Sequence, residues 1–246
     1  MKLILCSFLF FLSLIKSTFA CEKIEYSNQI KNSNFDLNIL SLQGNLKKID
    51  KVINGLPDGF YKEYILGVSF LDGKTKLVDL KEAEKHLTNS AKYCFSPAHY
   101  SLGYLYYLEN KLEDSKKWLL SAKKLGDSLA AYQLGLIYIK EHNPEKMLES
   151  LDFAEKTDFT PAITELGVQY YDGKIINKDL TKAFKYFEKA ALRNDPLAQN
   201  NVGWMYENGE GGVKVNKEKA LYWYRKAYDN GFSGAYENYS RLSGEK

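Results

Sequence analysis

The chain has 246 residues, 34 Lys and Arg against 31 Asp and Glu, and a formal net charge of +3 at pH 7. The sequence has no block of basic residues, and such blocks are what binds the phosphates of nucleic acids. Nucleic acid is therefore excluded from the expected partners.

Residues 1–20 have the pattern of a signal peptide. Lys2 precedes an apolar run from Leu3 to Ile15, and small residues stand at the third-last and last positions of Thr18-Phe19-Ala20. The apolar run is too short to cross a bilayer, which disfavours an uncleaved anchor. We expect cleavage after Ala20, no transmembrane anchor afterwards, and a periplasmic or secreted mature chain.

Cys21, the first residue after the predicted cleavage point, has two interpretations. It could carry the lipid of a bacterial lipoprotein, but Thr18 and Phe19 replace the Leu-like and small residues of that pattern, so ordinary cleavage is favoured. The mature chain keeps only Cys21 and Cys94, which an exported protein can join as a disulfide. The alternative is that Cys94 is a small buried thiol.

Residues 21–60 precede any repeat and are expected to form an N-terminal helical cap. A polar stretch rich in Asn and Ser spans 28–38, and apolar residues then recur between Leu40 and Ile53. We predict one or two helices here, ending before the turn at Leu56-Pro57-Asp58-Gly59.

A Gly recurs through residues 61–246, each time behind an apolar residue and three residues ahead of an aromatic. The copies are Gly67, Gly103, Gly135, Gly167 and Gly203, so the intervals are 36, 32, 32 and 36 residues. That period is typical of two-helix units, which stack because none can bury its apolar face alone. Four of the copies place Ala five residues before the Gly, where we expect two helices to approach closely.

Capping signals mark the predicted helix ends. Ser96-Pro97, Thr160-Pro161 and Asp195-Pro196 each have a capping side chain followed by Pro, which suits the first helical position. Asp79, Asp179 and Asn216 are the predicted N-caps of second helices. Second helices are expected to end at residues that tolerate a left-handed conformation: Gly126, Asn194 and Gly231.

The stretch from Ala162 to Gly173, followed by Asp179-Leu-Thr-Lys-Ala183, resembles the Sel-one-like repeat, a relative of the tetratricopeptide repeat. A second good copy runs from Ala198 to Ala227, and shorter spacing at Gly103 and Gly135 removes the Gly-rich loop between the helices. The resemblance implies an all-α fold: a right-handed α-solenoid of about five two-helix Sel-one-like or tetratricopeptide-like repeats over 61–246. It also implies a binding scaffold, because most similar proteins have no catalytic site.

The sequence contains no recognisable catalytic or metal-binding motif. It has neither a G-x-S-x-G elbow nor an H-E-x-x-H motif. We interpret His86, His99 and His142 as packing or solvent-facing residues, because each lacks a His or carboxylate at ligand spacing on the same turn. We therefore expect no metal, no cofactor and no enzyme. The alternative is a cell-envelope hydrolase of the β-lactamase-like type, against which the absence of paired cysteines in each repeat counts.

A second stripe of residues follows the positions three before, one after and four after each Gly, spaced as neighbours on one helix face. In tetratricopeptide-like stacks, these positions point into the concave groove. Tyr and Trp bury large areas at low entropic cost, which suits a protein-binding surface, although the stripe could instead form a second core. The candidate partner-binding residues are Tyr100, Tyr104, Tyr107, Tyr132, Leu136, Tyr171 and Trp204.

The expected function is that of an exported, monomeric, non-catalytic scaffold that binds another protein in its concave groove. Two roles remain open for such a scaffold. One is an immunity protein against a secreted toxin, and the other is a factor in the envelope or in host interaction.

Overall fold

The computed structural model describes residues 53–72 and 76–244, and this part of the chain is helical without any strand. The described residues divide into two compact units, the first ending at Leu125 and the second beginning at Gly126. The helices of the first unit are α1 (Phe60–Asp72), α2 (Leu80–Ala91), α3 (Ser96–Leu108) and α4 (Leu112–Lys124). Those of the second unit are α5 (Ser128–Lys140), α6 (Pro144–Lys156), α7 (Thr160–Asp172), α8 (Leu180–Ala191), α9 (Pro196–Asn208), α10 (Lys217–Asp229) and α11 (Gly234–Ser243).

The helices pack in consecutive pairs, as the repeat period predicts. The pairs are α1–α2 and α3–α4 in the first unit, and α5–α6, α7–α8 and α9–α10 in the second. Within each unit, the second helix of one pair also packs against the first helix of the next. The all-α fold of stacked helix pairs predicted from the sequence is confirmed.

The repeat glycines lie where the two helices of a pair touch. A Cβ atom added to any of the five would lie 2.5–2.8 Å from a side chain of the second helix. At Gly167 the nearest atoms belong to the ring of Phe187, which is 1% exposed. The small residues five positions earlier (Ala98, Ala130, Ala162 and Ala198) are fully buried. Glycine is required at these positions because the neighbouring side chain fills the space of a Cβ.

The predicted N-caps of the second helices are confirmed. The side chains of Asp79, Asp179 and Asn216 each accept a hydrogen bond from a backbone N–H of the first turn. Asp195 caps α9 in the same way, through the N–H of Ala198 at 2.8 Å. Each of these bonds satisfies a donor that has no partner within the helix.

The prediction that Ser96 and Thr160 are caps is wrong. Both are the first residues of their helices, and the caps are Phe95 and Phe159, which make no side-chain capping bond. Phe95 is 7% exposed and packs 5.2 Å from the ring of Phe60. At these two helix starts a Phe stands at the cap position and its ring packs against another aromatic ring, Phe60 for Phe95 and Tyr132 for Phe159.

The turn before the first helix of each repeat, from α3 to α11, contains one residue with a left-handed backbone conformation. The predicted residues Gly126, Asn194 and Gly231 have φ values of 93°, 63° and 100°. The equivalent residues Cys94 and Asp158 have φ values of 56° and 60°. A left-handed residue at this point ends each second helix and starts the next repeat.

The last two helix pairs have the long connections that the sequence indicates. Residues 173–179 join α7 to α8 and residues 209–216 join α9 to α10, and both connections begin with a left-handed Gly. The pairs α3–α4 and α5–α6 are joined by residues 109–111 and 141–143. The shorter repeats thus have full-length helices and lack the long connection between them.

Residues 1–20, Cys21 and nearly all of the predicted cap 21–60 lie outside the described residues. At its described end, Ile53 and Leu56 are buried against Ile65 of α1. Cys94 is 5% exposed, and its pairing with Cys21 stays a prediction. In the described ranges, no helix is both long enough and apolar enough to span a bilayer.

Candidate partner-binding cleft

The seven candidate binding residues are all partly exposed. Tyr100, Tyr104 and Tyr107 lie on α3 in the first unit, where Tyr104 is 41% exposed and the other two are half-buried. Tyr132 and Leu136 lie half-buried on α5 in the second unit. The ring of Tyr132 packs 5.6 Å from Phe159, and burial raises the pKa of its phenol.

The structure brings two of the seven together, Tyr171 of α7 and Trp204 of α9. They line one cleft of about 370 Å³ in the second unit, which we call the α7–α9 cleft. Val168, Phe187 and Leu197 supply its other apolar walls. Tyr132 and Leu136 do not line it.

A hydrogen bond fixes the two aromatic side chains of the cleft. The indole Nε1–H of Trp204 donates to the hydroxyl of Tyr171 at 3.0 Å. The Tyr171 ring also packs 6.3 Å from Phe187 and lies under the ammonium of Lys178 at 5.2 Å. Burial raises the pKa of Tyr171, and the Glu210 carboxylate raises it further, so this side chain stays a neutral phenol. Trp204 remains 40% exposed.

The polar side chains of the cleft are Asp172, Asn200 and Asn201. Asn200 accepts a hydrogen bond from Asn238 of α11 at 3.0 Å, which places the last described helix beside the cleft. None of the three was among the candidate residues chosen from the sequence, although Asn200 lies on the stripe, three residues before Gly203.

Arg241 also holds α11 against α9. Its guanidinium donates to both carboxylate oxygens of Glu207, at 2.7 and 2.9 Å. The hydroxyl of Tyr224 donates to the same carboxylate at 2.7 Å. The bond to Arg241 keeps the pKa of Glu207 below its ordinary value.

The interpretation of the histidines needs one correction. Glu82 lies one turn before His86, with its carboxylate 3.5 Å from Nε2, and Glu63 of α1 lies 2.9 Å from Nδ1. Carboxylates do therefore stand next to this His, at a spacing that sequence analysis overlooked. Burial acts to raise the pKa of Glu63, but hydrogen bonds from His86 and Asn89 leave it lowered. Within the described ranges, no group of three or more such side chains could hold a metal ion.

A lysine ammonium lies over the aromatic ring three residues after every repeat Gly. The distances from Nζ to the ring centroid range from 4.9 to 5.6 Å. The pairs are Lys76 with Phe70, Lys111 with Tyr106, Lys146 with Tyr138, Lys182 with Tyr170 and Lys219 with Tyr206. Each repeat thus carries its own cation–π contact between a lysine and the aromatic residue that follows its Gly.

The packing of helix pairs and the partly exposed aromatic cleft define a helical-repeat protein of the solenoid class. The family model described as Sel1 repeat matches residues 160–195 and 196–232. Residues 160–232 therefore consist of two consecutive Sel1 repeats.

Known relatives and structures are consistent with this assignment. The Sel1-repeat-containing protein YjcO of Escherichia coli (strain K12) is 34% identical over 80 residues, which are 32% of this chain and 35% of that protein. The match thus spans about a third of the length of the relative.

Two solved structures share the fold. The Sel1 repeat protein from Oxalobacter formigenes superposes with a TM-score of 0.66 and 22% identity, over 79% of this chain and 84% of that one. A protective antigen present in uropathogenic Escherichia coli strains has a TM-score of 0.67 and 22% identity, over 81% of this chain and 44% of that one. At this identity, the likeness shows the fold alone.

Proposed function

We propose that the protein is an exported scaffold that binds another protein through the α7–α9 cleft. Proteins with Sel1 repeats are generally protein-interaction scaffolds. The observation that carries the proposal is Trp204, a 40% exposed indole in a cleft, with its N–H already bonded to Tyr171.

The arrangement suits a binding hot spot. Exposed aromatic residues in a preformed cleft are the usual anchors of protein interfaces, because they bury a large area and lose little conformational entropy. The bond to Tyr171 orders the indole before the partner arrives, so less entropy is lost on binding.

The signal-peptide pattern of residues 1–20 supports placing the scaffold in the periplasm or outside the cell. An immunity protein would block a delivered toxin there, and an envelope or host-interaction factor would hold a different partner. A toxin encoded by the adjacent gene would favour the first role.

Capture of the partner tests the proposal. The mature protein and its Trp204→Ala variant are used as baits for extracts of the source cells, and the captured protein is then purified and titrated against both. We expect Trp204→Ala to weaken binding by about 2 kcal/mol, which is roughly thirtyfold. The result that contradicts the proposal is equal affinity for both baits.

Tyr222→Ala is the matched control. Tyr222 lies on α10, is 54% exposed and does not line the cleft. Its loss removes a comparable exposed aromatic, so we expect unchanged affinity. Equal helicity and melting of both variants will show that the folds are intact.

A further inference from the structure

We propose that the α7–α9 cleft takes a basic side chain of the bound protein, the guanidinium of Arg or the ammonium of Lys. The inference rests on the proposed function of the cleft and names the chemistry of its occupant. It depends on the charge of the lining and on the face that Trp204 presents.

The charge of the lining favours a cation. Asp172 is the charged residue among those that line the cleft, and Asn200 and Asn201 add neutral amides. Asp172 pairs with Lys174 at 2.9 Å, but the Lys174 side chain is 78% exposed. Exposed ion pairs are weak, so the carboxylate can exchange Lys174 for a cation of the partner.

The indole of Trp204 offers its π face. Its N–H donates to Tyr171, so it cannot also donate to an acidic ligand. Indole is the aromatic ring that binds cations best. Tyr171 already has Lys178 over its ring, whereas no described cation lies over Trp204. Trp204 is therefore the cleft ring that can receive a cation from outside.

Other occupants fit less well. An acidic side chain would meet the carboxylate of Asp172 and find no Lys or Arg in the lining. An uncharged apolar side chain would displace water from Asp172 and add no polar contact in its place, which is unfavourable for a charged group. A basic side chain satisfies both the carboxylate and the indole.

The test uses four blocked tripeptides that differ in their central residue: acetyl-Gly-Arg-Gly-amide and its Lys, norleucine and Glu counterparts. The protein has three Trp residues, so three indole N–H signals are followed by NMR, and the signal lost in Trp204→Phe is that of Trp204. We expect the Arg and Lys peptides to shift the Trp204 signal saturably in about the millimolar range, because a single side chain binds weakly.

We expect the norleucine and Glu peptides to bind at least about tenfold more weakly than the basic ones. Asp172→Asn should weaken the Arg peptide by roughly two- to fivefold, as the loss of a partly exposed ion pair does. Tyr222→Ala should leave all four titrations unchanged.

Equal or tighter binding of the norleucine or Glu peptide overturns the inference, and so does the absence of any shift at tens of millimolar peptide. Failure of the proposed function looks different. If Trp204→Ala binds the captured partner with unchanged affinity, the scaffold proposal is wrong regardless of the peptide titrations. If capture needs Trp204 but the norleucine peptide binds best, the scaffold proposal stands and the basic occupant is wrong.

Discussion

His99 and Gln199 occupy the same place in two repeats, four residues before Gly103 and Gly203. His99 Nε2 lies 3.0 Å from the carbonyl oxygen of Ala91, and Gln199 Nε2 donates to that of Ala191 at 3.1 Å. His99 is 2% exposed, and its Nδ1 has no hydrogen-bond partner in the described part of the chain. Burial lowers the pKa of His99, because the imidazolium would lose its hydration.

The lowered pKa of His99 predicts that the free energy of unfolding decreases in mild acid. The unfolded chain binds a proton at His99 below about pH 6.5, whereas the folded chain does so only at lower pH. The unfolded state therefore gains protons first, and the free energy of unfolding decreases as pH falls from about 7.5 to 5.5. His99→Gln should reduce this slope, because Gln makes the equivalent bond in the other repeat without titrating. Thermal melting across the range measures it.

His142→Gln serves as the control, since His142 is exposed. Its melting should follow the same pH slope as the unmodified protein. Identical slopes for the unmodified protein and His99→Gln would show that His99 does not control the response.

Gly167→Ala should destabilise the fold although Ala favours helices. The added Cβ would lie 2.6 Å from the Phe187 ring, which is buried and cannot move aside. Overpacking of this kind costs about 1–3 kcal/mol and exceeds a gain in helix propensity of about 1 kcal/mol. Denaturant unfolding measures the difference. Gly234→Ala is the control, because a Cβ there meets Phe232 at an ordinary 3.4 Å, and a similar loss at both sites would refute the packing argument.

Sequence signals predict the helices well where a local bond forms them. Asp79, Asp179 and Asn216 cap their helices as predicted, because a capping bond spans three residues and is visible in the sequence. Ser96 and Thr160 do not, because the choice between a cap and a buried Phe depends on Phe60 and Tyr132, which are distant in the chain.

The candidate site is a harder case for the same reason. The period places Tyr171 and Trp204 on one stripe, but their hydrogen bond joins residues 33 apart and depends on how α7 and α9 pack. Asp172 and Asn201 lie off that stripe, so periodicity gives no reason to choose them.

Arg241→Gln should loosen α11 and leave α9 in place. The substitution removes the charged two-pronged bond to Glu207, while Tyr224 still donates to that carboxylate. Charged bidentate bonds are stronger than neutral ones, but Arg241 is half exposed, so we expect a loss of about 1 kcal/mol or less. Faster hydrogen exchange of amides in α11 is the measurement.

Arg193→Gln provides the comparison, because Arg193 forms its salt bridge with Asp158, in the turn before α7. It should leave exchange in α11 unchanged. Equal exchange in both variants would mean that packing against α10, rather than Arg241, holds the terminal helix.

For the whole molecule, we predict an exported chain that starts at Cys21 with a free amine and a disulfide to Cys94. The motivation is the cleavage pattern at Ala20 and the presence of two cysteines in the mature chain. The intact mass of the secreted protein should correspond to residues 21–246 and rise by two hydrogen atoms on reduction. A diacylglyceryl mass on Cys21 would contradict ordinary cleavage, and an unchanged mass on reduction would contradict the disulfide.

The lysine over each repeat aromatic has a consequence for how such a chain can change length in evolution. Residues 160–195 contain six basic and five acidic residues, and residues 196–232 contain five and four, so each segment carries a net charge of +1. Each segment also brings its own lysine together with the ring that the lysine covers. Duplication or deletion of one whole segment would therefore shift the net charge by a single unit and leave no aromatic without its cation.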